Sequence, residues 1–184
     1  MIFDEEKLRF DFSESKWASV LHFDKTTFYQ KAKNAIDPTK AVDFLGIYQK
    51  STLVFVEVKD FRGHRIETKP RVEGKEDPLW LEVSKKVRDT IPVIVGAARN
   101  SSTDTDVWKT CSRFLHDGKK VIHIVLWLEH DLPPNTFKSR KNWQMDELYQ
   151  LRKMKKSLEW LTTKIEVACI EENPFPDALT VTYQ

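Results

Sequence analysis

Three residues carry the chemistry that this chain can be expected to perform: Asp43, Glu57 and Lys59. They stand in two runs that are otherwise apolar. Val42, Phe44, Leu45 and Ile47 flank Asp43, while Leu53, Val54, Phe55, Val56 and Val58 surround Glu57. An ionised carboxylate in such surroundings is costly unless a positive group meets it. Glu57 and Lys59 are two residues apart, so on an extended strand they point to one face. Asp43 can reach that face from a paired strand. Two carboxylates converging on one point repel each other unless a cation lies between them. A hard divalent ion such as Mg2+ or Mn2+, bound through oxygen, meets that need. The competing reading is an edge hairpin whose acids and lysine form a solvated ion pair, which contributes little.

The elements that must position these groups follow from the pattern around them. Near-continuous apolar runs mark strands covered on both faces, here 41–48 and 52–60. Gln49-Lys50-Ser51 between them is short enough for a hairpin loop. Upstream, residues 7–12 read as a short strand or lead-in and Trp17 to Phe23 as a strand. Residues 26–36 read as a short helix closed by Asp37-Pro38. Downstream, a basic loop containing Gly63, Pro70 and Gly74 leads to a helix from about Pro78. Its stripe is Trp80, Val83, Val87, Ile91 and Ile94, and Pro92 is expected to kink or divide it. A second helix starts near Asp104 and ends at Asp117-Gly118. Val121 to Glu129 is a core strand. After Leu132-Pro133-Pro134 comes a helix over about 143–161, then a strand from Lys164 to Ile170. Leu179 to Thr182 reads as an edge strand. Strands and helices in this order predict an α/β fold with a mixed central sheet flanked by helices.

On Asp43 and Glu57-Val58-Lys59 the chain resembles the PD-(D/E)xK, or restriction-endonuclease-like, nuclease superfamily. That family carries an acid on one strand of a hairpin and Glu-x-Lys or Asp-x-Lys on the next. Val42 stands where its usual proline would be. More narrowly, the chain resembles a family of small bacterial proteins. Trp17, Asp24, Phe28-Tyr29, Val42-Asp43-Phe44, Glu57 to Arg62 and Lys86 to Thr90 carry that likeness, over roughly residues 8 to 130. The resemblance implies a restriction-endonuclease-like core and a Mg2+- or Mn2+-dependent endo- or exodeoxyribonuclease. Asp43, Glu57 and the carbonyl of Val58 would hold the ion, and Lys59 would position the attacking water or stabilise the charge of the transition state. An early acid joins the site in many relatives, and Asp24, Glu5, Glu6 and Glu14 are rivals for that place.

Two basic concentrations bear on a nucleic-acid partner, expected to be DNA. The first, Arg62, His64, Arg65, Lys69 and Arg71, leaves the Glu-x-Lys strand directly. Its arginines and Lys69 are the expected phosphate contacts. The second comprises Lys138, Arg140, Lys141, Arg152, Lys153, Lys155 and Lys156, and reads as a solvated helix face. Lys86, Arg88 and Asp89 sit beside a helical stripe. They form either a solvated charge pair, Lys86 with Asp89, or part of the site. Glu129-His130-Asp131 reads as a turn, because neighbours on an extended chain point apart. His123 reads as a hydrogen-bonded core histidine.

Composition sets the frame. At 184 residues with 40% hydrophobic content and six tryptophans, the chain is expected to form one globular domain over 1–184. Its net charge of +2 does not by itself announce nucleic acid. Cys111 and Cys169 cannot build a disulfide scaffold or a four-ligand zinc site, and read as core thiols of a reducing cytoplasm. The acidic N-terminus is not a signal peptide. With no separate DNA-reading domain, targeting would fall to a homodimer mate or a protein partner. The other reading is a catalytically inactive nuclease-fold protein that binds nucleic acid or acts as an assembly subunit.

Overall fold

The computed structural model describes residues 1–35, 39–131 and 137–184, the side chains of 65–66 and 137–144 excepted. The central strands are β3 (Trp17–His22), β4 (Phe44–Tyr48), β5 (Thr52–Asp60), β6 (Val121–Glu129) and β7 (Ile165–Ala168). They form one sheet in the order β3-β4-β5-β6-β7. The β3/β4 and β4/β5 pairs are antiparallel, and β5/β6 and β6/β7 are parallel. A second, antiparallel sheet has the order β1-β2-β8, from Ile2–Glu5, Leu8–Phe12 and Leu179–Tyr183.

The apolar run of β5 divides between two cores. Leu53 and Phe55 face α1 (Thr27–Ala35), α3 (Leu79–Asn100), α4 (Thr105–His116) and α5 (Phe137–Leu158). Val54, Val56 and Val58 face the small sheet, against Phe10, Phe12 and Val181. The prediction of a mixed sheet flanked by helices therefore holds. On the second face, however, the cover is a sheet.

Two expectations need correction. The basic stretch after β5 contains a helix, α2 (Arg65–Val72), with Pro70 inside it. Pro92 does not divide α3, which runs unbroken from Leu79 to Asn100. A proline inside a helix costs about 3 kcal/mol. Val83, Val87, Val93, Ile94 and Ala97, all buried along the same helix, more than offset that.

The hairpin loop is the expected Gln49-Lys50-Ser51, since Tyr48 pairs with Thr52. Gln49 and Lys50 take φ of +46° and +55°, and Ser51 N–H donates to Tyr48 O at 3.2 Å. Two consecutive positive φ values make the tight turn whose twist matches paired strands. That turn sets the register Phe44↔Val56. Asp43, one residue before β4, is therefore brought opposite Glu57.

Candidate functional site

Asp43 and Glu57 lie on the helix-covered face of the sheet, under α3. Asp43 is 5% and Glu57 1% exposed, so bulk water cannot solvate either charge. Asp43 Oδ2 accepts a hydrogen bond from Val58 N–H at 2.6 Å. In an extended strand a residue's N–H and C=O point to the same edge, so the Val58 carbonyl also faces the Asp43 edge. Lys59 Nζ lies 2.9 Å from Glu57 Oε1 and 3.2 Å from Glu82 Oε1. Asp43, Glu57 and Lys59 thus meet on one face, with the Val58 backbone beside them.

Helix α3 adds two groups one turn apart. Lys86 Nζ lies 2.6 Å from Glu57 Oε1 and 3.4 Å from Asp43 Oδ1. Glu82 pairs with Lys59 and with Arg71 of α2. The Lys86–Asp89 pair suggested by their spacing is replaced by these contacts, while Asp89 pairs with Arg88. Glu82 went unnoticed in the sequence. Its one signal is the four-residue spacing to Lys86 beside the buried Val83 and Val87.

Electrostatics follow from burial. Burial, with Asp43 alongside, pushes Glu57 up to about 8, so near neutral pH it takes up a proton despite the ammonium groups beside it. Both ammonium groups crowd Oε1, and among the described residues Oε2 has no hydrogen-bond partner. For Lys59 and Lys86, burial works against the charge, but Glu57 with Glu82 or Asp43 outweighs it and raises both lysines above their ordinary range. Glu82 is lowered: Lys59 and Arg71 overcome its desolvation.

The early acids separate in space. Asp24 lies in the turn just after β3, where burial, Glu5 and Asp43 raise its pKa. Glu6, at a φ of +53°, accepts a hydrogen bond from Asp60 N–H, and burial raises it. Glu5 meets His22 at 2.8 Å and Lys25 at 2.9 Å, and the His22 hydrogen bond takes it down to about 2. Glu14 is 80% exposed beside the N-terminal ammonium. Asp24 and Glu6 are the early acids that feel the charge of Asp43. Glu5, His22 and Asp24 also bring one ligand atom each within 4.8 Å of one another.

The basic residues also separate. Arg71 joins the site through Glu82. Lys69 is exposed on α2, 3.6 Å from Glu73. Arg62 turns to the opposite face, forked onto Asp60 and stacked 3.7 Å from the Tyr183 ring. Arg65, Lys138, Arg140 and Lys141 have side chains outside the described set. A cleft of about 420 Å³ borders the site, with Asp24, Tyr29, Lys33, Lys40, Glu82 and Lys86 among its walls. Lys33 and Lys40 had no distinguishing signal in the sequence.

The remaining candidates are structural. Glu129 accepts from Trp127 Nε1, Ile170 N–H and Tyr183 Oη, while Asp131 accepts from Gly63 N–H, so the Glu-His-Asp run does not converge. His123 is buried, but neither ring nitrogen makes the expected directional hydrogen bond. Glu166 lies 3.3 Å away. Cys111 is buried and Cys169 half-buried, and both are free. No helix among the described residues is long and apolar enough to cross a membrane.

Comparison with protein-family models, curated proteins and solved structures finds no match for this chain.

Proposed function

We propose that this protein is a metal-dependent nuclease that hydrolyses phosphodiester bonds in DNA. The observation that carries the reading is the pairing of Asp43 with Glu57, two buried carboxylates on one sheet face with Lys59 beside them. The donor set fits a hard cation. Asp43, Glu57 and the Val58 carbonyl offer only oxygen, and among the described residues the buried Glu57 Oε2 has no hydrogen-bond partner. When bound, Mg2+ or Mn2+ supplies Lewis acidity for a phosphate oxygen and lowers the pKa of water.

The chain's own residues do the rest. Val58 N–H fixes the orientation of the Asp43 carboxylate. Lys59 keeps its proton and offers fixed positive charge where negative charge builds on the phosphate, and Glu82 holds that ammonium in place. Lys33 and Lys40 on the cleft wall, with Arg71 and Lys69 on α2, would meet the backbone of the nucleic acid.

A specific observation favours a second reading, an inactive nuclease-fold subunit that binds nucleic acid or a protein partner. Lys59 and Lys86 already counter the charge of Asp43 and Glu57. The test is cleavage of labelled single- and double-stranded DNA and RNA in Mg2+, Mn2+ or Ca2+, with Asp43→Asn and Glu57→Gln as controls. Mg2+- or Mn2+-dependent cutting of DNA that both variants lose supports the nuclease. Salt-dependent binding without cutting in any metal supports the subunit.

A further inference from the structure

Each acid of the cluster meets a base without any ion: Asp43, Glu57 and Glu82 face Lys59, Lys86 and Arg71. Lys86 differs from the other two bases. Lys59 and Arg71 each hold Glu82 as a partner, whereas among the described residues Lys86 pairs with Asp43 and Glu57 alone. Among the described residues its ammonium is the one group that touches both carboxylates of the candidate metal centre. A dication bound by those same oxygens would face this ammonium at close range, and the two positive charges cannot share the position.

The anchoring of Lys86 makes a side-chain exchange feasible. Its main chain is fixed, since Thr90 Oγ1 donates to Lys86 O at 2.7 Å and accepts from Val42 N–H at 3.1 Å. Helix α3 is thereby pinned to the segment that carries Asp43. The side chain is not fixed in the same way. It has a flexible four-carbon stem and borders the cleft, so its ammonium can leave the carboxylates without moving the helix.

We propose that Lys86 is an internal counter-cation: it holds Asp43 and Glu57 together in the absence of metal, competes with the divalent ion for them, and turns into the cleft as the ion binds. This rests on the metal-centre reading above and adds a residue that sets how tightly metal is held. A lysine with a merely structural role would weaken metal binding when removed. A competitor strengthens it.

The experiment is calorimetric titration of Mn2+ into the full-length wild type and into Lys86→Met, Lys86→Arg and Asp43→Asn, each checked for folding by urea unfolding in EDTA. Lys86→Met is expected to bind Mn2+ about tenfold more tightly than the wild type, or about 1.4 kcal/mol. Lys86→Arg, which keeps the charge, is expected to stay within about threefold of the wild type. Should Lys86→Met not fold, Lys86→Gln makes the same comparison. Equal or weaker binding in the uncharged variant, with Asp43→Asn abolishing binding, overturns the competitor role and leaves the metal centre standing. No Mn2+ binding by the wild type or by the uncharged Lys86 variant overturns both.

Discussion

Glu57→Gln should remove a specific pH dependence of stability. In the folded protein the Glu57 carboxyl sits at about 8, against 4.5 when unperturbed. Between those values the folded state keeps a proton that the unfolded state has released, so stability falls as pH rises from 4.5 to about 8 and then levels off. At 1.36 kcal/mol per pH unit the full effect is roughly 4–5 kcal/mol, of which about 3–4 kcal/mol falls between pH 5 and 8. Glutamine keeps the shape and cannot titrate. Lys59 and Lys86 are raised and stay charged throughout the window, so they cancel in the comparison. The assay is urea unfolding in EDTA at pH 5, 6.5 and 8 for wild type and variant, with the m-value monitored. The variant should gain on the wild type by about 3 kcal/mol over that range. A difference in pH response below about 1 kcal/mol refutes the assignment of a strongly raised carboxyl.

Lys59→Met should slow single-turnover cleavage by the equivalent of roughly 2.7–4 kcal/mol while changing Mn2+ affinity far less, measured by quench-flow beside calorimetry. Gly46→Ala should destabilise by about 1–3 kcal/mol in urea unfolding. A Cβ there would lie 2.8 Å from the Trp17 ring, which is itself held against Phe12, Tyr48 and Phe175. Lys50→Gly should stabilise by about 0.5–1 kcal/mol, because it relieves a left-handed residue in the β4–β5 turn at a smaller entropic cost. The same unfolding midpoint reads it.

The parts of this fold legible in the sequence are those where a pattern has one physical cause. A charge inside a doubly covered strand is conspicuous, so Asp43, Glu57 and Lys59 stand out, and the hairpin that joins them follows from the same runs. Lys86 and Glu82 are harder. On a helix flank, charges four apart look the same whether they face water or a buried carboxylate, and only the packing of α3 on the sheet decides. Strand β1 was missed because four residues with half-exposed side chains carry too short an alternation. Helix α2 was missed because Pro70 and a polar composition resemble a loop. The cover on the second sheet face joins β2 to β8, and no local signal reports so distant a pairing.

That distant pairing has a consequence for synthesis. The Trp17 indole N–H donates to Ala178 O across 161 residues, and Leu8 to Phe12 pair with Leu179 to Tyr183. As the chain emerges from the ribosome, N-terminal elements fold first, but β1 and β2 lack their third strand until residues 179–183 have been made. Until then Phe10, Phe12 and Trp127 have no complete cover, and contacts of such sequence separation form slowly. The nascent protein therefore carries an aromatic face that invites chaperones or aggregation, and a chain cut short before Phe175 keeps it.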